Sequence, residues 1–87
     1  MKSAELTVTN KLGLHLRAAS QLAQTATKFQ SHIELVKQGQ KANAKSIMSV
    51  LALAATPGTV LEVNIEGSDE EEAMGAIRDS FENGFKE

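Results

Sequence analysis

The stretch Val60-Leu61-Glu62-Val63-Asn64-Ile65-Glu66 decides how this chain must be built. Leu61, Val63 and Ile65 alternate with Glu62, Asn64 and Glu66, so an extended backbone sends the aliphatic side chains to one face and the polar ones to the other. A strand with one wet face belongs to an antiparallel sheet covered on one side only. Before it, Thr56-Pro57-Gly58-Thr59 holds Pro and Gly in the order a turn uses. After it, Gly67-Ser68 opens a helix. Ser68 and Glu71 fit a capping box, and Asp69, Glu70 and Glu72 suit the positive end of the helix dipole. Ala73, Ile77, Phe81 and Phe85 form its buried stripe, with Gly84 as a closing residue.

The same reading extends towards the N-terminus. Residues 4–9 alternate, with Ala4, Leu6 and Val8 inward, and Asn10-Lys11-Leu12-Gly13 breaks the strand. From Leu16 to Phe29 the period becomes helical, with Ala19, Leu22, Ala23, Ala26 and Phe29 on one face. That face is mostly Ala, which lets the helix lie close on a sheet. His32 to Lys37 is a strand with Ile33 and Leu35 inward, and Gln38-Gly39 turns it into a short strand from Gln40 to Ala44. Ser46 to Leu53 is a short helix with Ser46 as its N-cap. Its apolar residues nearly encircle it, so part of Ile47, Met48 and Leu51 is exposed. The order β-α-β-β-α-β-α implies an open-faced α/β sandwich of the α+β type.

Composition sets the limits around this plan. A chain of 87 residues is one domain, 1–87, and a hydrophobic fraction of 41% fills one core. With Trp 0 and Tyr 0 that core is aliphatic, and with Cys 0 there are no disulfides or thiolate metal sites. No apolar run approaches the ~20 residues of a membrane span, and the N-terminus has no apolar signal stretch. A cytoplasmic monomer without membrane insertion is expected. The net charge of −2 is uneven: residues 1–61 carry net +5 and residues 62–87 carry net −7. A basic face that meets an acidic partner is one reading, and acids crowded at a helix start are the other.

Few residues can do chemistry. His15 and His32 have no third ligand at helical spacing, so no metal site and no cofactor are expected, and no Gly-rich phosphate loop is present. His32 starts a strand without charged neighbours and reads as a surface residue. His15 lies between the break at Gly13 and the first turn of a helix, where exposed backbone N–H groups favour an anion. Arg17 adds a fork of donors for phosphate oxygens. The helix dipole disfavours imidazolium, so the expectation is a ring that tends toward its neutral, nucleophilic form. Spacing alone also admits a loop histidine that merely caps a helix.

The segment Asn10-Lys11-Leu12-Gly13-Leu14-His15-Leu16-Arg17-Ala18-Ala19 resembles the active-site segment of the histidine-containing phosphocarrier (HPr) family of the bacterial phosphotransferase system. Ala44-Lys45-Ser46-Ile47-Met48-Ser49-Val50 resembles that family's second motif, around a regulatory serine. The resemblance covers the whole chain and implies a four-stranded antiparallel sheet covered on one face by three helices. It implies that His15 carries a transient phosphoryl group on Nδ1, taken from phosphorylated enzyme I and passed to a downstream acceptor domain. Such a protein is a carrier rather than a free-standing catalyst. Arg17 matches the family's active-site arginine, and Ser46 matches the site used by HPr kinase/phosphorylase. Two positions depart from the pattern: Leu16 replaces a small residue, and Ala18 replaces a Pro that would pre-set the first helical turn.

Docking to enzyme I is expected through Leu16, Ile47, Met48 and Leu51, with Arg17, Lys45 and Lys28 as a charged rim. The lead-in Asn10-Lys11-Leu12-Gly13 and the tail Glu82-Asn83-Gly84-Phe85 are also similar to the nitrogen-related branch of the family, so a regulatory phosphorelay is the alternative to sugar uptake. A small nucleic-acid-binding module is the other alternative. The predicted strands carry no aromatic residue on which bases could stack, and no nucleic-acid partner is expected.

Overall fold

A computed structural model describes residues 1–86. The elements are β1 (Lys2–Thr7), α1 (Leu16–Ala26), β2 (His32–Lys37), β3 (Gln40–Asn43), α2 (Ile47–Ala52), β4 (Val60–Glu66), α3 (Glu70–Glu82) and a short 3₁₀ turn, Gly84–Lys86. The strands form one antiparallel sheet in the order β1-β4-β2-β3. The alternating strand at 60–66 is therefore central, flanked by β1 and β2, as its regular pattern requires.

Register places Ala4 opposite Val63 and Leu6 opposite Leu61, while Ile33 faces Ile65 and Leu35 faces Val63. These side chains make the covered face. Leu61, Val63, Ile65, Ile33 and Leu35 are fully buried, each worth about 1.5–3 kcal/mol of transfer free energy. α1 closes over them with Ala18, Ala19, Leu22, Ala23 and Ala26, and α3 with Ala73, Met74, Ile77 and Phe81. Phe85 turns back onto Phe81, with ring centroids 5.0 Å apart in an edge-on arrangement. The other face of the sheet is polar. There Ser3 Oγ donates to Asn64 Oδ1 at 2.7 Å and Asn64 Nδ2 to Glu62 Oε2 at 2.8 Å.

Three sequence expectations shift. α1 ends at Ala26, and Phe29 packs on the core from the turn that follows. β1 begins at Lys2 and leaves the sheet at Thr7, while Val8 stays buried through its amide bond to the Thr59 carbonyl at 2.9 Å. The capping box of Ser68 and Glu71 does not form. Asp69 is the N-cap residue of α3, and its carboxylate accepts from Gln30 N and Ser31 N, each at 2.9 Å, and from Ser31 Oγ. Glu70, one residue before the expected position, bonds back to Gly67 N at 3.1 Å. The carboxylate beside Ser68 finds fixed donors in the α1–β2 connection, and that tertiary pairing displaces the local cap.

Candidate active site

The segment between β1 and α1 is built to present one residue. Gly13 takes φ +70°, and a Cβ there would lie 2.5 Å from the Ala55 carbonyl oxygen, so only glycine fits. Asn10, which is buried, donates from Nδ2 to the Gly13 carbonyl at 2.6 Å. Leu14 is buried and its amide bonds the Ala55 carbonyl at 2.9 Å. Two adjacent residues are thus pinned to the loop after α2, and His15 follows as the N-cap of α1.

His15 has extended backbone angles, φ −76° and ψ −178°, and its carbonyl accepts from Ala19 N at 2.8 Å. Its ring folds over the helix start, where Nδ1 accepts from Arg17 N at 3.4 Å. That contact directs Nδ1 at the positive end of an 11-residue helix. The bond is long and therefore weak. The first turn contains no acidic residue. The helix starts at Leu16 although Ala18 stands where Pro would pre-set the turn; the His15 cap and the burial of Ala18 and Ala19 suffice.

A groove opens beside the ring. Its walls include Lys11 and Leu12 from the β1–α1 loop, Leu16, Arg17 and Gln21 from α1, and Asn83 from the end of α3. Arg17 is exposed and brings a second positive charge to the helix start alongside the dipole. Leu12, at 69% exposure, and Leu16, at 64%, form an apolar lip on the groove. Leu12, Asn10 and Asn83 were not singled out as site residues by sequence reasoning. Leu12 carried a signal, a large aliphatic side chain in a polar break, whereas Asn83 reaches the groove only because α3 ends there.

The residues of the second motif divide. Ser46 caps α2, its Oγ accepting from Ser49 N at 3.3 Å. Met48 is 75% exposed, while Ile47 and Leu51 are half-buried and pack on the core. Lys45 folds across to the α1–β2 connection, donating from Nζ to the Phe29 carbonyl at 2.8 Å. Lys28 is exposed just beyond the end of α1. His32 lies at the start of β2, exposed, with its Cα paired to Glu66 and Ile33 beside it facing the core. Among the described residues no group of three or more His, Cys, Asp or Glu side chains could hold a metal ion, and no helix is long and apolar enough to cross a membrane.

Comparison with known proteins points the same way as the geometry. The family described as the PTS HPr component phosphorylation site matches residues 2–83. The chain is 56% identical over 87 residues to the phosphocarrier protein HPr of Xylella fastidiosa strain Temecula1, covering 100% of this chain and 98% of that protein. It is 42% identical to the phosphocarrier protein HPr of Neisseria meningitidis serogroup B over the same 87 residues, again 100% of this chain and 98% of the relative. Among solved structures it is similar to HPr-C-His from Thermoanaerobacter tengcongensis, with TM-score 0.96 and 45% identity over 100% of this chain and 98% of that one. The phosphocarrier protein HPr from Bacillus anthracis gives TM-score 0.88 and 36% identity over 92% and 95% of the two chains.

Proposed function

The chain belongs to the HPr family of phosphocarriers of the phosphotransferase system, and from that premise we propose that His15 is the residue that carries the phosphoryl group, on Nδ1. The observation that carries this reading is an N-cap histidine whose Nδ1 is directed at the start of α1, within reach of the Arg17 amide. The Nδ1 lone pair attacks phosphorus on the phosphorylated donor. The phosphorus–nitrogen bond of the donor breaks as the new one forms, and Nε2 keeps its proton. The backbone N–H groups of the first turn and the Arg17 guanidinium then hold the phosphoryl oxygens. Because the Arg17 N–H bond to the bare ring is long, little is given up when that amide turns to a phosphoryl oxygen.

Enzyme I is the donor and a downstream histidine the acceptor. Docking runs over Leu16 and Met48, with the exposed parts of Ile47 and Leu51 between them and Arg17, Lys45 and Lys28 at the rim. Ser46 is the regulatory position, phosphorylated by HPr kinase/phosphorylase where a cell has that enzyme. The names of the relatives support the phosphotransferase role over the nitrogen-related relay, and the work is cytoplasmic. Labelling with phosphoenolpyruvate and enzyme I tests the assignment. His15→Ala abolishes an acid-labile label and His32→Ala leaves it; a label that survives His15→Ala overturns it.

A further inference from the structure

Lys37 lies outside the groove but is connected to it by a few atoms of backbone. At the end of the β2 strand its Nζ reaches over the end of α2, donating to the Leu53 carbonyl at 2.8 Å and the Ala54 carbonyl at 3.3 Å. Gln40, across the hairpin, donates from Nε2 to the Ala52 carbonyl at 3.2 Å. These side chains satisfy carbonyls that a helix end leaves without an intrahelical partner, and the lysine bonds are charge-assisted.

What they hold is strained. Ala54 has φ +50°, the left-handed region that alanine avoids. The next carbonyl, that of Ala55, accepts from Leu14 N at 2.9 Å and lies against Gly13 closely enough to exclude a Cβ. Leu14 is buried and His15 is the next residue. Any relaxation of Ala54 towards its preferred angles swings the chain after it, and the Ala55 oxygen on which the reacting segment hangs moves first.

We propose that Lys37 is a positioning residue for phosphoryl transfer: its ammonium fixes the Leu53–Ala54 backbone and, through the Ala55–Leu14 hydrogen bond, the setting of His15 over the start of α1. The proposal rests on the reading of His15 as the phosphoryl acceptor. It explains why a strained alanine persists beside the site: a cation from a neighbouring strand over-determines it.

Lys37→Met keeps the aliphatic stem and removes the donors, and Lys37→Gln keeps a neutral N–H₂ donor group on a shorter stem. Hydrogen exchange at the Leu14 amide reads the linkage without any phosphorylation. It should quicken about tenfold in Lys37→Met and by less in Lys37→Gln. With enzyme I, Lys37→Met should lower kcat severalfold at unchanged KM. The isolated phosphoprotein should also hydrolyse at a changed rate, although no partner is there to touch residue 37. Unchanged exchange at Leu14 while the Ala54 amide loses protection overturns the proposal, because the clamp then ends at α2. A rise in KM alone, with the same hydrolysis rate as wild type, also overturns it and makes Lys37 a docking contact. Failure of the His15 reading shows separately, as a label retained in His15→Ala.

Discussion

His15 caps a helix through a ring nitrogen, where most caps accept through a side-chain oxygen. An oxygen cap would hold the amide tightly; imidazole holds it loosely, at 3.4 Å, and can exchange it for a phosphoryl oxygen. Arg17 complements this with charge rather than packing, since its side chain is exposed. Arg17→Ala should therefore slow transfer from enzyme I by on the order of 10²-fold, as loss of one anion-stabilising donor does elsewhere, while thermal unfolding stays within about 4 °C of wild type. Rapid-quench transfer kinetics alongside a melting curve check both halves; an unchanged rate would leave the backbone amides as the sole anion site. His15 and Arg17 were legible in the sequence because a glycine break adjoins a helical period. The Ala55 support was not, because it needs a partner that only the rest of the fold brings to Leu14.

α2 and α3 begin in different ways, and each difference has a measurable consequence. In α2 the local cap forms, with Ser46 Oγ on Ser49 N. Aspartate is also a good N-cap, so Ser46→Asp should keep the melting temperature at or slightly above that of wild type. It should still slow transfer from enzyme I severalfold, because the new charge adjoins Ile47 and the exposed Met48. Wild-type kinetics in this variant and in stoichiometrically phosphorylated protein would contradict the role of Ser46. In α3 the capping carboxylate is drawn away. The Ser31 hydroxyl, with the Gln30 and Ser31 amides, holds Asp69 below the usual carboxylate range. A folded pKa below the unfolded one gives stability that is present above the unfolded value, about 3.9, and is lost as pH falls through the folded value. Asp69→Asn should thus melt lower than wild type at pH 7, with the gap closing as pH falls below about 4. A gap that stays constant to pH 2 would show that the carboxylate's charge is irrelevant. β2 and β4 matched their sequence-read bounds because turn residues follow the one at Gln38-Gly39 and flank the other at Gly58-Thr59 and Gly67-Ser68. The end of α1 and the start of α3 did not, because Phe29 and Asp69 answer to tertiary partners.

Across the whole molecule, the sequence's charge split becomes a spatial one only in part. Lys2 is paired with Glu71 at 3.3 Å, and the Lys37 and Lys45 ammonium groups are turned onto backbone carbonyls. Lys11 and Arg17 line the groove beside His15. Raising ionic strength shortens the Debye length from ~30 Å at 0.01 M to ~10 Å at 0.1 M. The association rate with enzyme I should fall about tenfold over a range extended to 0.5 M, with the step after docking little changed. Stopped-flow rates that do not vary with salt would make the charge split incidental. All of this depends on one nitrogen atom. Nitrogen-15 and phosphorus-31 NMR of the protein, phosphorylated by enzyme I and phosphoenolpyruvate, reads that atom directly. A phosphorus coupling to Nδ1 of His15, with His32 unshifted, is the predicted result. A coupling to Nε2 of His15, or to either nitrogen of His32, would contradict it.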